Sequence, residues 1–212
     1  MPRARTPFAA GRLWLDFVNT DEAPRHAQGD ALVSFDGYLA WLEGAALLDA
    51  ARRAALQRRA LEQPASATAT LHEARRIRSA LRPLAERGVH ASERERQAAV
   101  LEINRVLGRS TGVRRIAHDA RDGSFNRTFV PAGDAFAALV IPVVESAADT
   151  LVTGELTRVR RCAAEPPCPR VFLDTSRSGR RRWCDMRTCG NRAKAARHRA
   201  ASRTSRRKPA AD

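Results

Sequence analysis

Aromatic residues are scarce in this sequence, 5% of 212 residues, with one Tyr, three Trp and seven Phe. All-β sandwiches fill their sheets with aromatic and β-branched side chains, so this scarcity argues against one, while the abundance of Ala, Leu and Arg points to helices. Lysine is almost missing, present only as Lys194 and Lys208, so nearly every positive charge is an arginine. A GC-rich genome accounts for that choice of residue but not for where the arginines stand. No run approaches the roughly 18 apolar residues of a membrane span, and Met1-Pro2-Arg3-Ala4-Arg5 leads into no signal-peptide core. The expectation is a cytoplasmic protein with no membrane partner. A glycine-rich phosphate loop, a nucleophile elbow and a His-Glu-x-x-His string are also lacking. The histidines, His26, His72, His90, His118 and His198, show no metal-pair spacing. These absences argue against an enzyme.

Charge is present in excess, and it is unevenly placed. The chain has 38 Lys plus Arg against 23 Asp plus Glu, a formal net charge of +15. Up to Thr157 there are 21 basic and 19 acidic residues, a net +2; the last 55 residues hold 17 and 4, a net +13. Such a density repels itself unless a polyanion resolves it, which makes nucleic acid the leading partner. The hydrophobic fraction, 43%, suffices for one ordinary core and a small second module.

Along the chain, Leu13-Trp14-Leu15-Asp16-Phe17-Val18-Asn19-Thr20 has apolar residues on more than one face, which predicts a buried short helix or strand. A helix from Ser34 places Leu39, Leu42 and Ala46 together. Asp49 caps the next, through Leu56 and Leu61, and Pro64 closes it. Ala74, Ile77 and Leu81 mark the buried face of a further helix with Gly88 at its C-cap. Ser92-Glu93-Arg94-Glu95 matches a capping box, followed by Val100, Ile103 and Leu107 at helical spacing. The period then changes, and residues 113–119 and 124–130 around Asp122-Gly123 predict a β-hairpin. Asp134 is positioned to cap a buried helix from Phe136 to Val144, kinked at Pro142. Leu156 to Arg161 reads as a junction.

All four cysteines follow that junction, as Cys162-x5-Cys168-x15-Cys184-x4-Cys189. Disulfides are disfavoured in the cytoplasm, whereas four thiolates in two close pairs separated by a hairpin-length spacer suit tetrahedral zinc. Two short strands, 170–174 and 180–184, are expected around residues 175–179, then a helix opening at Cys189. The whole predicts an α+β fold, mainly α: an α-rich N-terminal domain with one β-hairpin over 8–155 and a small treble-clef-like unit of knuckle, β-hairpin and helix over 158–204. A basic, disordered tail over 205–212 follows. One zinc ion per chain is expected, structural because four thiolates leave no open position for water. Chelation should unfold the small module and leave the larger domain folded.

Arg181-Arg182-Trp183-Cys184 followed by Cys189-Gly190-Asn191-Arg192-Ala193-Lys194 resembles the CGNR zinc finger, named for that Cys-Gly-Asn-Arg string. Leu15-Asp16-Phe17-Val18-Asn19-Thr20, with Arg75 to Leu81, resembles the ABATE domain, which accompanies this finger in bacterial proteins described as stress-induced transcription regulators. The resemblance implies zinc held by Cys162, Cys168, Cys184 and Cys189, and DNA binding by the finger. Its wide, proline-rich first cysteine pair, Cys162 to Cys168, departs from the usual spacing.

In the final helix Arg192, Arg199, Arg203 and Arg206 lie within about 60° of one another at roughly 100° per residue, with Lys194 and Arg197 beside them. With Arg180, Arg181 and Arg182 they form the candidate surface for double-stranded DNA, by phosphate clamping or by reading guanine in the major groove. The near-neutral larger domain is left with sensing or dimerisation. There Asp16, Asn19, Thr20, Arg75 and Arg78 form a candidate polar cluster, either a buried structural pairing or a small-molecule effector site. Two rivals stay open: an RNA- or ribosome-associated binder, and a thiol-redox sensor using the zinc thiolates.

Overall fold

A computed structural model describes residues 10–21, 29–109, 112–118, 125–132, 136–165 and 167–206. It is mainly α, with two separate antiparallel strand pairs. The first helix, α1 (Leu13–Val18), is only six residues long, and five of them are buried. It anchors the interior. The Trp14 indole donates to Thr150 Oγ1 at 2.9 Å, and Phe17 packs edge-on against Trp41 at 5.2 Å between ring centroids. Burial of both faces explains why the segment has no amphipathic period.

The following helices begin where the capping residues predict. Ser34 accepts from Gly37 N–H ahead of α2 (Phe35–Gly44), and Asp49 accepts from Arg52 N–H ahead of α3 (Ala50–Glu62). Pro64 does not merely close α3; it opens α4 (Pro64–Arg87), where a missing N–H costs nothing. Helix α4 presents Ala74, Ile77 and Leu81 inward and ends at Gly88, whose φ is +55°. A Cβ there would also stand 3.3 Å from the Leu156 carbonyl. The capping box before α5 (Glu93–Arg109) is formed reciprocally: Glu95 N–H donates to Ser92 Oγ, and Ser92 N–H donates to Glu95 Oε2.

Two expectations about faces need correction. Val100 is 43% exposed, because the buried face of α5 is set by Ala99, Ile103 and Val106. Ala46 lies beyond the end of α2 in left-handed backbone, φ +54°, rather than on its inner face. The chain turns through Phe136–Val140 before α6 (Ile141–Val152), so Pro142 sits in the first turn of that helix and does not kink it. Asp134 lies outside the described residues. Strands β1 (Gly112–His118) and β2 (Phe125–Pro131) pair antiparallel with Ile116 opposite Arg127, as the hairpin pattern predicts; the Asp122-Gly123 turn lies outside the described residues.

The junction is not a linker. Val159–Arg161 is a strand, β3, pairing antiparallel with β4 (Val171–Leu173), with Arg160 opposite Phe172. The expected hairpin between 170–174 and 180–184 is therefore wrong: β4 pairs with the segment before the first cysteine, and 180–184 takes no strand form. The other edge of β4 is covered by the N-terminal region. Asn19 donates from Nδ2 to the Val171 carbonyl at 2.9 Å and accepts from Val171 N–H at 3.0 Å, and Leu173 N–H donates to the Ala10 carbonyl at 2.7 Å. Val171, Phe172 and Leu173 belong to the same buried cluster as α1, α4 and α6. The last helix, α7 (Asn191–Arg206), extends two residues into the segment expected as tail. Among the described residues no helix is long and apolar enough to cross a membrane.

Candidate metal centre and basic surface

Four chain segments deliver the four cysteines. β3 runs directly into Cys162, whose N–H donates to the Arg170 carbonyl at 2.8 Å, so the loop carrying Cys168 is closed at its base. Ala163 N–H donates to the Arg182 carbonyl at 2.9 Å, which draws the segment leading to Cys184 alongside. A single π-type turn, Met186–Gly190, then brings Cys189 back. Asp185 caps that turn by accepting from Arg187 N–H at 2.6 Å, and Asn191 Nδ2 closes it on the Arg187 carbonyl at 3.0 Å. Gly190 packs against Met186, where a Cβ would stand 3.0 Å from Sδ and push that flexible side chain aside.

The four sulfurs lie within 4.8 Å of one another and no disulfide joins them. A zinc tetrathiolate with bonds of about 2.3 Å has sulfur–sulfur edges of about 3.8 Å. Here Cys168 and Cys184 are 3.9 Å apart, and Cys184 and Cys189 are 3.7 Å apart. Taken as thiols alone, the group is electrostatically lopsided. Hydrogen bonds from Cys168 and Cys184 hold Cys162 far below its ordinary value, while the sulfurs of Cys162 and Cys168 push Cys184 far up. Burial raises Cys189 to about 11. Only a dication at the centre lets all four ionise together, so the donor set fits a metal.

Two residues outside the cysteines shape the site, and one has a legible signal. Asp174, 1% exposed, accepts from Ser176 N–H at 2.9 Å and from Arg181 N–H at 3.0 Å, which folds residues 174–181 into a tight turn. Burial would raise its carboxyl, but these hydrogen bonds outweigh burial and hold it below the carboxylate norm. The Asp-Thr-Ser string is an Asx-turn signal that the sequence reading passed over. Arg181 then donates to the carbonyls of Trp183, at 2.9 Å, and Cys184, with its guanidinium 4.6 Å over the Phe172 ring.

The expected nucleic-acid residues therefore divide. Arg180, Arg182, Lys194, Arg197 and Arg199 are exposed. Arg181 is turned inward as described, and Arg192 is half-buried with Nη2 3.4 Å from Cys189 Sγ. Arg203 lies within α7, its side chain outside the described residues. Arg160 and Arg161, read as junction, are exposed on β3 beside this surface.

The candidate polar cluster does not converge on one point. Arg78 pairs with Asp30 through both nitrogens, at 2.5 and 2.8 Å, and donates to Thr20 Oγ1 at 2.9 Å. Arg75 donates to the carbonyls of Leu32 and Val33. Asp16 accepts from Ala10 N–H at 3.2 Å, and Asn19 reaches β4. Asp30 was missed because it lies outside both motifs. Burial alone would raise its carboxyl, but hydrogen bonds from Arg78 and Leu32 N–H and the charges of Arg78 and Arg75 bring it below its ordinary value. A depressed carboxylate stabilises the fold fully at neutral pH and loses that contribution as the pH falls below about 4. Urea unfolding across a pH series should show a flatter acid limb for Asp30→Asn than for the wild type; parallel curves would remove Asp30 from the acid response.

Residues 11–155 match the family model ABATE, described as "Putative stress-induced transcription regulator", and residues 158–202 match the CGNR zinc finger. No curated protein matches the chain.

Proposed function

The chain belongs to the ABATE family and carries a CGNR zinc finger at residues 158–202, and from that premise we propose a transcription regulator that binds double-stranded DNA through its zinc-loaded C-terminal module. Cys162, Cys168, Cys184 and Cys189 are the ligands of one zinc ion per chain, which acts as a cross-link and has no open position for chemistry. The protein is a regulator and not an enzyme, working in the cytoplasm. Its functional division follows 8–155, 158–204 and 205–212.

The observation that carries this reading is the set of exposed cations on α7 and on the segment leading to Cys184: Arg180, Arg182, Lys194, Arg197 and Arg199. Their part is phosphate clamping, which fixes register on a duplex, together with guanine reading by those arginines of α7 that reach the major groove. Small residues on α7, such as Ala195 and Ala196, let its backbone approach a groove closely. The polar cluster is given a structural role, because Asp16, Asn19, Thr20, Arg75 and Arg78 each bond to the protein itself.

Selection from a sheared genomic library by the zinc-loaded protein at about 0.15 M salt tests the proposal, since purely electrostatic binding is weak there. A shared motif among recovered fragments is expected. Uniform recovery would overturn sequence-specific regulation, and tighter binding to structured RNA of equal length would overturn the duplex assignment. In a salt titration, Arg197→Ala with Arg199→Ala should flatten the log-log slope by about 0.9 for each phosphate that is no longer neutralised. An unchanged slope would move the binding surface elsewhere.

A further inference from the structure

The four-residue string Cys189-Gly190-Asn191-Arg192 has internal work for every member. Gly190 clears Met186, Asn191 ties its amide to the Arg187 carbonyl at 3.0 Å, and Arg192 turns back on the preceding cysteine. The Arg192 guanidinium donates from Nη2 to Cys189 Sγ at 3.4 Å, a normal length for an N–H···S bond. Its Nε–H is buried and has no hydrogen-bond partner among the described residues. A phosphate-seeking arginine stays exposed, as Arg197 and Arg199 do on the same helix. Arg192 instead spends its head group beside the sulfurs.

The chemistry of the centre gives that placement a purpose. Four thiolates around a dication carry a net charge of about −2, and burying that charge without a counter-charge is costly. The sulfur that accepts an N–H bond also holds less electron density, so it is slower to take a proton or to attack an oxidant or alkylating agent. An arginine suits this better than a lysine, because its planar, weakly hydrated head group loses less on partial burial.

We propose that Arg192 is a positioning residue of the metal centre, holding and partly neutralising the Cys189 thiolate, and is not a nucleic-acid contact. The proposal rests on the reading that the four cysteines hold zinc. It separates the chain's arginines into two classes: Arg192 builds the metal site, while exposed residues such as Arg197 meet the polyanion.

The test uses the full-length zinc-loaded protein. Zinc transfer to a chromophoric chelator is followed at equilibrium, and alkylation of Cys189 by iodoacetamide is followed by peptide mass spectrometry. Loss of an outer partner of a metal ligand typically weakens metal affinity by about 10- to 100-fold. Arg192→Ala is expected to fall in that range, with faster Cys189 alkylation, while Arg192→Lys, which keeps the charge but loses the planar donor, falls between it and the wild type. With zinc kept saturating, the log-log salt slope for duplex DNA should stay at the wild-type value in Arg192→Ala, whereas Arg197→Ala should flatten the slope and leave zinc affinity and alkylation unchanged. Wild-type zinc retention and alkylation in Arg192→Ala, with a flattened slope in that same variant, would return Arg192 to the nucleic-acid surface and overturn the proposal. A wild-type protein that takes up no zinc would overturn the ligand reading itself, so the two failures are distinguishable.

Discussion

Replacing Cys184 with Ser is expected to unfold the chain well beyond residues 158–202. Structural zinc in small tetrathiolate and related sites contributes about 10–16 kcal/mol at neutral pH, comparable to the whole stability of a domain, about 5–15 kcal/mol. Were the finger tethered by a linker, that loss would stop at its boundary, as the sequence alone suggests. The packing argues otherwise. Val171, Phe172 and Leu173 lie between the cysteines yet are buried in the cluster built by Trp14, Phe17, Ile77 and Leu81. When Cys184 no longer draws its segment against Cys162, β4 is held only by its three-residue pairing with β3 and its bonds to Asn19 and Ala10, and loss of that register takes three apolar side chains out of the cluster together. Amide hydrogen exchange before and after chelation provides the measurement. Loss of protection should extend from 159–173 into α1 and the part of α4 that meets it. Protection lost only within 158–206 would restore the picture of two independent folding units.

What the sequence made legible follows from how local each signal is. Helix starts were readable because a cap and its N–H partner lie three residues apart, as Ser34 with Gly37 and Asp49 with Arg52. The metal cluster was readable because cysteines have few competing roles and all four fall in one stretch. Strand pairing in the finger was not. Residues 180–184, Arg-Arg-Arg-Trp-Cys, read as a short strand delivering Cys184, but Asp174 closes the preceding turn on Arg181 N–H and takes that backbone out of ladder geometry. β3 was hidden because three residues, Val159-Arg160-Arg161, carry no period. Arg181 and Arg192 looked like surface charge for the same reason: a guanidinium that stacks on Phe172 or donates to a thiolate leaves no trace in spacing. Non-local polar partners, such as Asn19 and Val171, are 152 positions apart and lie beyond any pattern argument.

That last pair carries the second large effect. The Asn19 carboxamide presents a donor and an acceptor in the same relation as a peptide group, and it closes both hydrogen bonds of Val171, a fully buried residue. Asn19→Ala leaves a buried N–H and a buried carbonyl unpaired, at about 1–3 kcal/mol each, so a loss of about 2–6 kcal/mol is expected in urea unfolding. Asn19→Asp separates hydrogen bonding from volume. It still accepts from Val171 N–H but cannot donate, and its charge faces the carbonyl, so it should be no better than Ala. Because β4 lies between the cysteine segments, any preference of zinc for the docked strand requires that undocking weaken zinc by the same factor. Asn19→Ala should therefore release zinc more readily to a competing chelator, although Asn19 touches no sulfur. A variant destabilised by less than about 0.5 kcal/mol would show that the interface holds through its apolar packing alone. One with full zinc affinity but lowered stability would confine the role of Asn19 to the helical unit. If both quantities fall together, the Leu15-Asp16-Phe17-Val18-Asn19-Thr20 segment is the joint through which the state of the metal centre reaches the larger domain.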